Sequence, residues 1–324
     1  MTAIVSRRHV VSMLAATALA GCGGRGEFTA TTPAQAAWLK RKVVYATNRA
    51  PTITGVARGN SLSYGLLEMA TPNDRPPGQL DFTGPDAFTV ASRSAVAPSG
   101  LAPALMSTVP RAGPGQNRLM LWVHGFNNTP AEAVQRQVQI AQDIGHNGAA
   151  VAFVWPSDGT TRGYIHDRDS AIHARDAHAE LMLALSEVWD GEIVVIAHSL
   201  GAFLTLEAIG RLRLSGNGGR VMDGLVLVQP DVASDVFEAQ IRDAQPLPNR
   251  AVLVVAQDDP VLRFSARLSQ QPERVGASGD RARFEGLGIT VLDLTNVTDA
   301  RVPHLVAFSS PTVLNMLNRL VGAG

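Results

Sequence analysis

From Leu119 onward the chain alternates short, largely apolar runs with longer segments whose apolar residues recur every three or four positions. Residues 119–123, 149–155, 193–197, 225–229, 251–256 and 289–294 form the runs; their length and β-branched content predict strands buried on both faces. Between Ser170 and Trp189, residues Ala171, Ala174, His178, Leu181, Leu185 and Val188 share one helical face, which predicts a helix packed on the sheet. Further helices are predicted to begin at Thr129-Pro130, with threonine as cap and proline in the first turn, and near Ser199 and Pro260. A last helix is predicted from about Pro311 to Val321. Strands alternating with helices in this way build βαβ units around a mostly parallel central sheet with helices on both faces, here as a single domain over residues 38–324. Val43 to Thr47 is a first strand, and the Pro- and Gly-rich stretch that follows, to about Gln116, is expected to wrap an edge of the sheet.

The first residues read as an address. Arg7 and Arg8 precede an apolar stretch over residues 10–20, too short to span a bilayer, which predicts a signal peptide over residues 1–21. Leu19-Ala20-Gly21-Cys22 resembles a bacterial lipobox, and Ser6-Arg7-Arg8-His9-Val10-Val11 resembles a twin-arginine export signal. The expectation is an exported lipoprotein of the cell envelope, held to the membrane by lipid on Cys22, with residues 22–37 as a tether. Cys22 is the chain's one cysteine, so a disulfide or thiolate metal site is excluded from the domain. With 28 basic and 28 acidic residues there is no surplus charge to hold phosphates, which argues against nucleic acid as a partner. At 45% hydrophobic and 17% charged, the composition is that of a globular rather than a disordered protein.

The run 193–197 leads through Ala197-His198-Ser199-Leu200-Gly201 into a predicted helix. Small residues around a serine at a strand-to-helix turn let the chain reverse sharply with the hydroxyl at the apex, as in the Gly-x-Ser-x-Gly nucleophile elbow; Ala197 stands where that pattern has its first glycine. A serine hydroxyl is a weak nucleophile unless a base removes its proton and a third group orients the base. In the α/β-hydrolase fold these follow in the order serine, acid, histidine. His304 is the one histidine after residue 259 and is the candidate base, in a polar loop between the last strand and the last helix. Asp259, in Gln257-Asp258-Asp259-Pro260 at the end of a predicted strand, is the favoured acid, with Asp231 and Asp258 as alternatives. The backbone N–H groups of Phe126 and Leu200 are the candidate oxyanion donors, Gly125 allowing close backbone approach. His166, His173 and His178 lack the spacing of a zinc site and are read as surface or partly buried; no metal or other cofactor is expected.

These residues together resemble bacterial α/β-hydrolases of the esterase/lipase superfamily, a group long known as a domain of unknown function. The likeness runs through Val44-Tyr45-Ala46-Thr47-Asn48-Arg49, Ser63-Tyr64-Gly65, residues 121–128 and 155–159, Tyr164, Asp167 and Ser170-Ala171. It continues through residues 197–201, Pro230-Asp231-Val232, Asp259, Leu262 and Ser265 to His304. The resemblance implies the α/β-hydrolase fold and a serine-hydrolase site, and says little of substrate. About twenty residues separate Gln229 from Ala251, too few for a large helical cap, so a small or short-chain ester is the expected partner. Residues 156–169 are read as either a small lid or a solvated loop. A binding lipoprotein on the same fold and an acyltransferase are the rival functions.

Overall fold

Strands that are apolar on both sides need cover on both faces. In the computed structural model, which describes residues 24–110, 116–216, 221–270 and 273–321, nine strands form one sheet in the order β3-β2-β1-β5-β4-β6-β7-β8-β9. The strands are β1 (Leu39–Ala50), β2 (Ala57–Thr71), β3 (Thr89–Val96), β4 (Arg118–Val123), β5 (Ala149–Phe153), β6 (Glu192–His198), β7 (Gly224–Val228), β8 (Arg250–Val255) and β9 (Thr290–Asp293). Every pairing from β1 to β9 is parallel, and β2 is antiparallel to both β1 and β3. This is the expected α/β-hydrolase fold. The signal peptide predicted over residues 1–21 and the lipidation predicted at Cys22 lie outside the described residues.

Alternation along the strands divides the core in two. Leu119, Leu121 and Val123 of β4 point to one face, where they meet α3 (Tyr164–Val188), α4 (Leu200–Leu214) and α5 (Ser234–Asp243), while α1 (Leu101–Thr108) covers the same face beside β1 and β5. Met120 and Trp122 point to the other, beneath α2 (Pro130–Asp143) and the C-terminal helices α8 (Val306–Ser309) and α9 (Pro311–Val321). Two further helices, α6 (Pro260–Leu268) and α7 (Arg281–Glu285), fill the β8–β9 connection. Thr129 caps α2 with a full capping box, its side chain accepting from the Glu132 N–H while Glu132 reaches back.

Four expectations need correction. The stretch from residue 48 to 116 does not merely wrap the edge but supplies strands β2 and β3, whose outer residues are polar because one side faces solvent. Residues 156–169 are a solvated turn only in part, at Asp158 and residues 160–162: Pro156, Ser157, Tyr164 and Asp167 are buried, and α3 begins at Tyr164. From Gly24 the expected tether is docked, with Thr129 Oγ1 donating to the Gly26 carbonyl at 2.7 Å and the Gly26 N–H donating to Glu132 Oε1 at 2.9 Å. His178 is fully buried, stacked on Phe153 with ring centroids 4.8 Å apart and Nε2 3.2 Å from Thr205 Oγ1.

That last burial has a pH signature. Desolvation lowers His178 to about 3, against about 6.5 in an unfolded chain. Between those values the unfolded state binds the extra proton, so stability falls as pH drops below the unfolded value, with a slope of up to about 1.4 kcal/mol per pH unit for one group. Melting temperature measured from pH 7 to 4.5 should therefore fall less steeply in His178→Leu than in the parent.

Candidate active site

The strand order reverses around β4, where the chain first turns toward β5 and then crosses to β6, and ligands of open α/β sheets bind at the carboxyl ends of strands beside such a point. The predicted residues lie on the connections that leave this edge. Ser199, between β6 and α4, has φ 54° and ψ −122°, a conformation that L-residues with a side chain rarely adopt. Its N–H donates to the Val228 carbonyl at 2.9 Å, so the neighbouring strand holds the turn. The chain can pass this closely only because two neighbours lack side chains: a Cβ on Gly201 would lie 2.3 Å from the His124 carbonyl oxygen, and one on Gly125 would lie 2.9 Å from Ser199 Cβ.

Asp259 caps α6, its Oδ1 accepting from the N–H groups of Val261 at 2.8 Å and Leu262 at 3.1 Å. Its Oδ2 accepts from His304 Nδ1 at 2.6 Å and from Gln229 Nε2 at 2.5 Å. Burial alone would raise this carboxyl, but the bonds from His304 and from the Leu262 and Val261 N–H groups favour the ionised form and bring it below its usual value. With Nδ1–H given to Asp259, the free lone pair of His304 is on Nε2, the tautomer that a general base requires. The other acids are elsewhere: Asp231 is buried against Arg274 at 3.2 Å and Ser265 Oγ at 2.6 Å, and Asp258 is exposed.

Ser199 and His304 are brought to the same edge but not into a hydrogen bond. Ser199 is 1% exposed, and its Oγ makes no hydrogen bond among the described residues. What links the two is His198, whose ring centroid is 4.6 Å from that of His304 and whose Nε2–H donates to the His304 carbonyl at 2.9 Å. Burial first, and then the charge of His304, hold His198 well below the usual imidazole range, so it stays neutral.

Neither the Phe126 nor the Leu200 N–H is used in a hydrogen bond among the described residues, which leaves both free for a ligand oxygen. The loop carrying Phe126 is fixed from below. Buried Asp167 accepts from the Asn127 N–H at 3.0 Å, the Asp158 N–H at 2.6 Å and Ser157 Oγ at 2.6 Å, and Ser157 Oγ in turn accepts from the Asn128 N–H at 3.1 Å. Arg49, at the end of β1, donates to the carbonyls of Trp155 at 3.1 Å and Ser157 at 2.9 Å. A cleft of about 630 Å³ opens over this edge, with Phe126, His198 and His304 in its lining and Arg25, Glu132 and Arg136 beside them. Among the described residues no group of three or more His, Cys, Asp and Glu is placed to hold a metal ion.

Sequence reasoning missed Gln229, His198 and the framework role of Asp167. Gln229 sits at φ 44° after β7, and its Nε2 donates to both Asp259 and the Pro303 carbonyl, the latter at 3.2 Å, tying the Asp259 and His304 loops together.

The glycine argument predicts opposite outcomes within one helix. Gly201→Ala should cost about 1–3 kcal/mol of stability through overpacking. Gly210→Ala, whose Cβ would meet nothing nearer than 3.6 Å, should stabilise by up to about 1 kcal/mol through helix propensity. Urea unfolding of the two variants tests both signs.

Among curated proteins no relative matches the chain. Solved structures with similar folds include an esterase of Rhizomucor miehei, at 14% identity over 99% of this chain and 91% of that one, with a TM-score of 0.39. An esterase of Pyrobaculum calidifontis is 15% identical over 66% of this chain and 78% of its own, with a TM-score of 0.37. A thermostable carboxylesterase cloned from a metagenomic library is 12% identical over 99% and 98%, with a TM-score of 0.41. The family described as "Alpha/beta hydrolase of unknown function (DUF900)" matches residues 112–323, well over half of the chain, from before β4 to the end of α9. The protein therefore belongs to the DUF900 family of α/β-hydrolases.

Proposed function

We propose that the protein is a serine hydrolase that cleaves a small or short-chain carboxylic ester through an acyl-enzyme. The observation that carries this reading is the Asp259–His304 hydrogen bond at 2.6 Å on the same sheet edge as the strained turn at Ser199. In the proposed cycle His304 Nε2 takes the proton of Ser199 Oγ as that oxygen bonds to the ester carbonyl carbon. The resulting oxyanion accepts from the N–H groups of Phe126 and Leu200. The C–O bond to the alcohol then breaks, and His304 returns the proton to the departing oxygen. Water, deprotonated by the same imidazole, attacks the acyl-enzyme and releases the acid. Asp259 keeps His304 in the tautomer with Nε2 free.

Only α5 and short loops occupy the β7–β8 connection, and the cleft volume is that of a small-molecule site. Both features support a compact substrate over a long acyl chain. For localisation we propose export and anchorage by lipid on Cys22. Gly24 lines the cleft, and two residues of extended chain reach at most about 7 Å. The anchor would thus hold the mouth of the site against the membrane surface.

Ser199→Ala should lose labelling by a fluorophosphonate probe and lower ester turnover by on the order of 10⁴-fold or more with melting temperature preserved. Undiminished turnover in that variant would refute the reading. Asp259→Asn should lower kcat by a similar factor, because the amide supports the wrong tautomer, whereas Asp231→Asn should act mainly on stability. A kcat loss that follows residue 231 rather than 259 would reassign the acid.

A further inference from the structure

Arg136 is the least explained charge near the cleft. It is carried by α2, is 6% exposed, and lines the same cleft as His304. Arginine is seldom buried so deeply without a carboxylate partner, because desolvating an unpaired cation is costly. Here Nη1 donates to Gln139 Oε1 at 2.7 Å, and the guanidinium carbon lies 5.8 Å from the ring centre of Phe82. No ion pair completes the shell among the described residues.

The neighbouring carboxylates are already committed. Glu132 accepts from Arg25, the Gly26 N–H and the Thr129 N–H. Asp143 is paired with Arg75 and accepts from Gln139 and the Gly78 N–H. Asp81, also in the lining, accepts from Gln79 at 2.7 Å. Gln139 is itself fixed, since its Nε2 donates to Asp143 and, at 3.0 Å, to the Phe308 carbonyl, which leaves its oxygen to hold Nη1. The guanidinium is thereby oriented with its Nε–Nη2 edge unused. That edge is the two-donor fork that matches the two oxygens of a carboxylate. Arg136 also stands close enough to the reaction centre for its charge to bear on His198.

We propose that Arg136 binds a carboxylate on the substrate, so that the preferred ester carries a second, ionised acid group a short spacer away from the scissile bond. The ester part rests on the serine-hydrolase reading; the carboxylate site does not. Glutarate is a suitable probe, with neutral glutaramide as its control, titrated calorimetrically into Ser199→Ala protein with and without Arg136→Met. Glutarate should bind, and the Met variant should weaken it by about 10-fold to 100-fold, the range for a lost charged hydrogen bond. Arg136→Lys should fall between, having the charge without the fork. Glutaramide should bind weakly and alike in all of them. Arg136→Met keeps an apolar stem but leaves Gln139 Oε1 without its donor, so the melting curve of the variant is recorded to confirm that it is folded at the titration temperature.

In the parallel kinetic arm, the kcat/KM ratio of the 4-nitrophenyl half-ester of glutaric acid over 4-nitrophenyl butyrate should fall by about the same factor in Arg136→Met. Equal glutarate affinity with and without Arg136, or no glutarate binding by folded protein, overturns the proposal. If glutarate binds through Arg136 but neither ester is cleaved, the carboxylate site stands and the hydrolase reading fails. If both esters are cleaved at an unchanged ratio in the variant, the hydrolase reading stands and the carboxylate site fails.

Discussion

The backbone at Ser199 is held at φ 54° and ψ −122°, where a residue with a side chain is strained by about 1–3 kcal/mol, and the surrounding structure has to supply that energy. It does so with rigid parts. The Ser199 N–H is clamped by the Val228 carbonyl of the adjacent strand, and α4 starts at once on the far side of the turn. Gly125 and Gly201 leave the room in which the β4 connection can cross. A loop free to relax could not sustain this conformation; a turn fixed at both ends by buried regular structure can. The same clamp leaves the Leu200 N–H unpaired, at the mouth of a helix whose dipole favours negative charge there.

From that point the site is built by long-range contacts between connections. Asp259 is oriented by the first turn of its own helix before it meets His304, so the carboxylate is in place whether or not the His304 loop is. Gln229 then joins the two loops, and His198 joins the His304 loop to the Ser199 turn through the His304 carbonyl. Asp167 performs the corresponding task for the Phe126 loop, gathering three donors into one buried carboxylate. The geometry of such a site therefore lies as much in residues that never meet a substrate as in those proposed to do so.

How much of this was legible in the sequence follows from the range of the forces involved. Strands β4 to β8 were readable because each must be apolar on both sides, a local property, whereas β9, expected to be buried like them, has only Val291 buried because it lies at the end of the sheet. β2 escaped notice because its first half is exposed and polar, as in Asn60, Ser61 and Ser63, and its pairing with β1 is set by register rather than by composition. His178 lay at the correct helical spacing for the core, yet it groups with His166 and His173 as surface or partly buried, since histidine is a type intermediate between core and surface. Asp259 and Asp231 could not be separated by position, since both leave the same sheet edge. The difference is that Asp231 meets Arg274, 43 residues later in the chain, a contact no local pattern announces. The docking of residues 24–31 was hidden for the same reason, glycine and threonine being as common in linkers as in closely packed turns.

The position of His304 has a consequence for how the molecule comes apart. It follows β9, a four-residue strand at the end of the sheet in which only Val291 is fully buried, and it is reached through a polar loop. Local opening of such an edge unit costs far less than melting the central strands. The chain can thus separate His304 from Asp259 while β4, β6 and the serine turn remain intact. Loss of the Asp259–His304 contact and loss of the fold are then two events, the first a local fluctuation of the polar loop between β9 and α8 and the second a cooperative transition of the whole sheet.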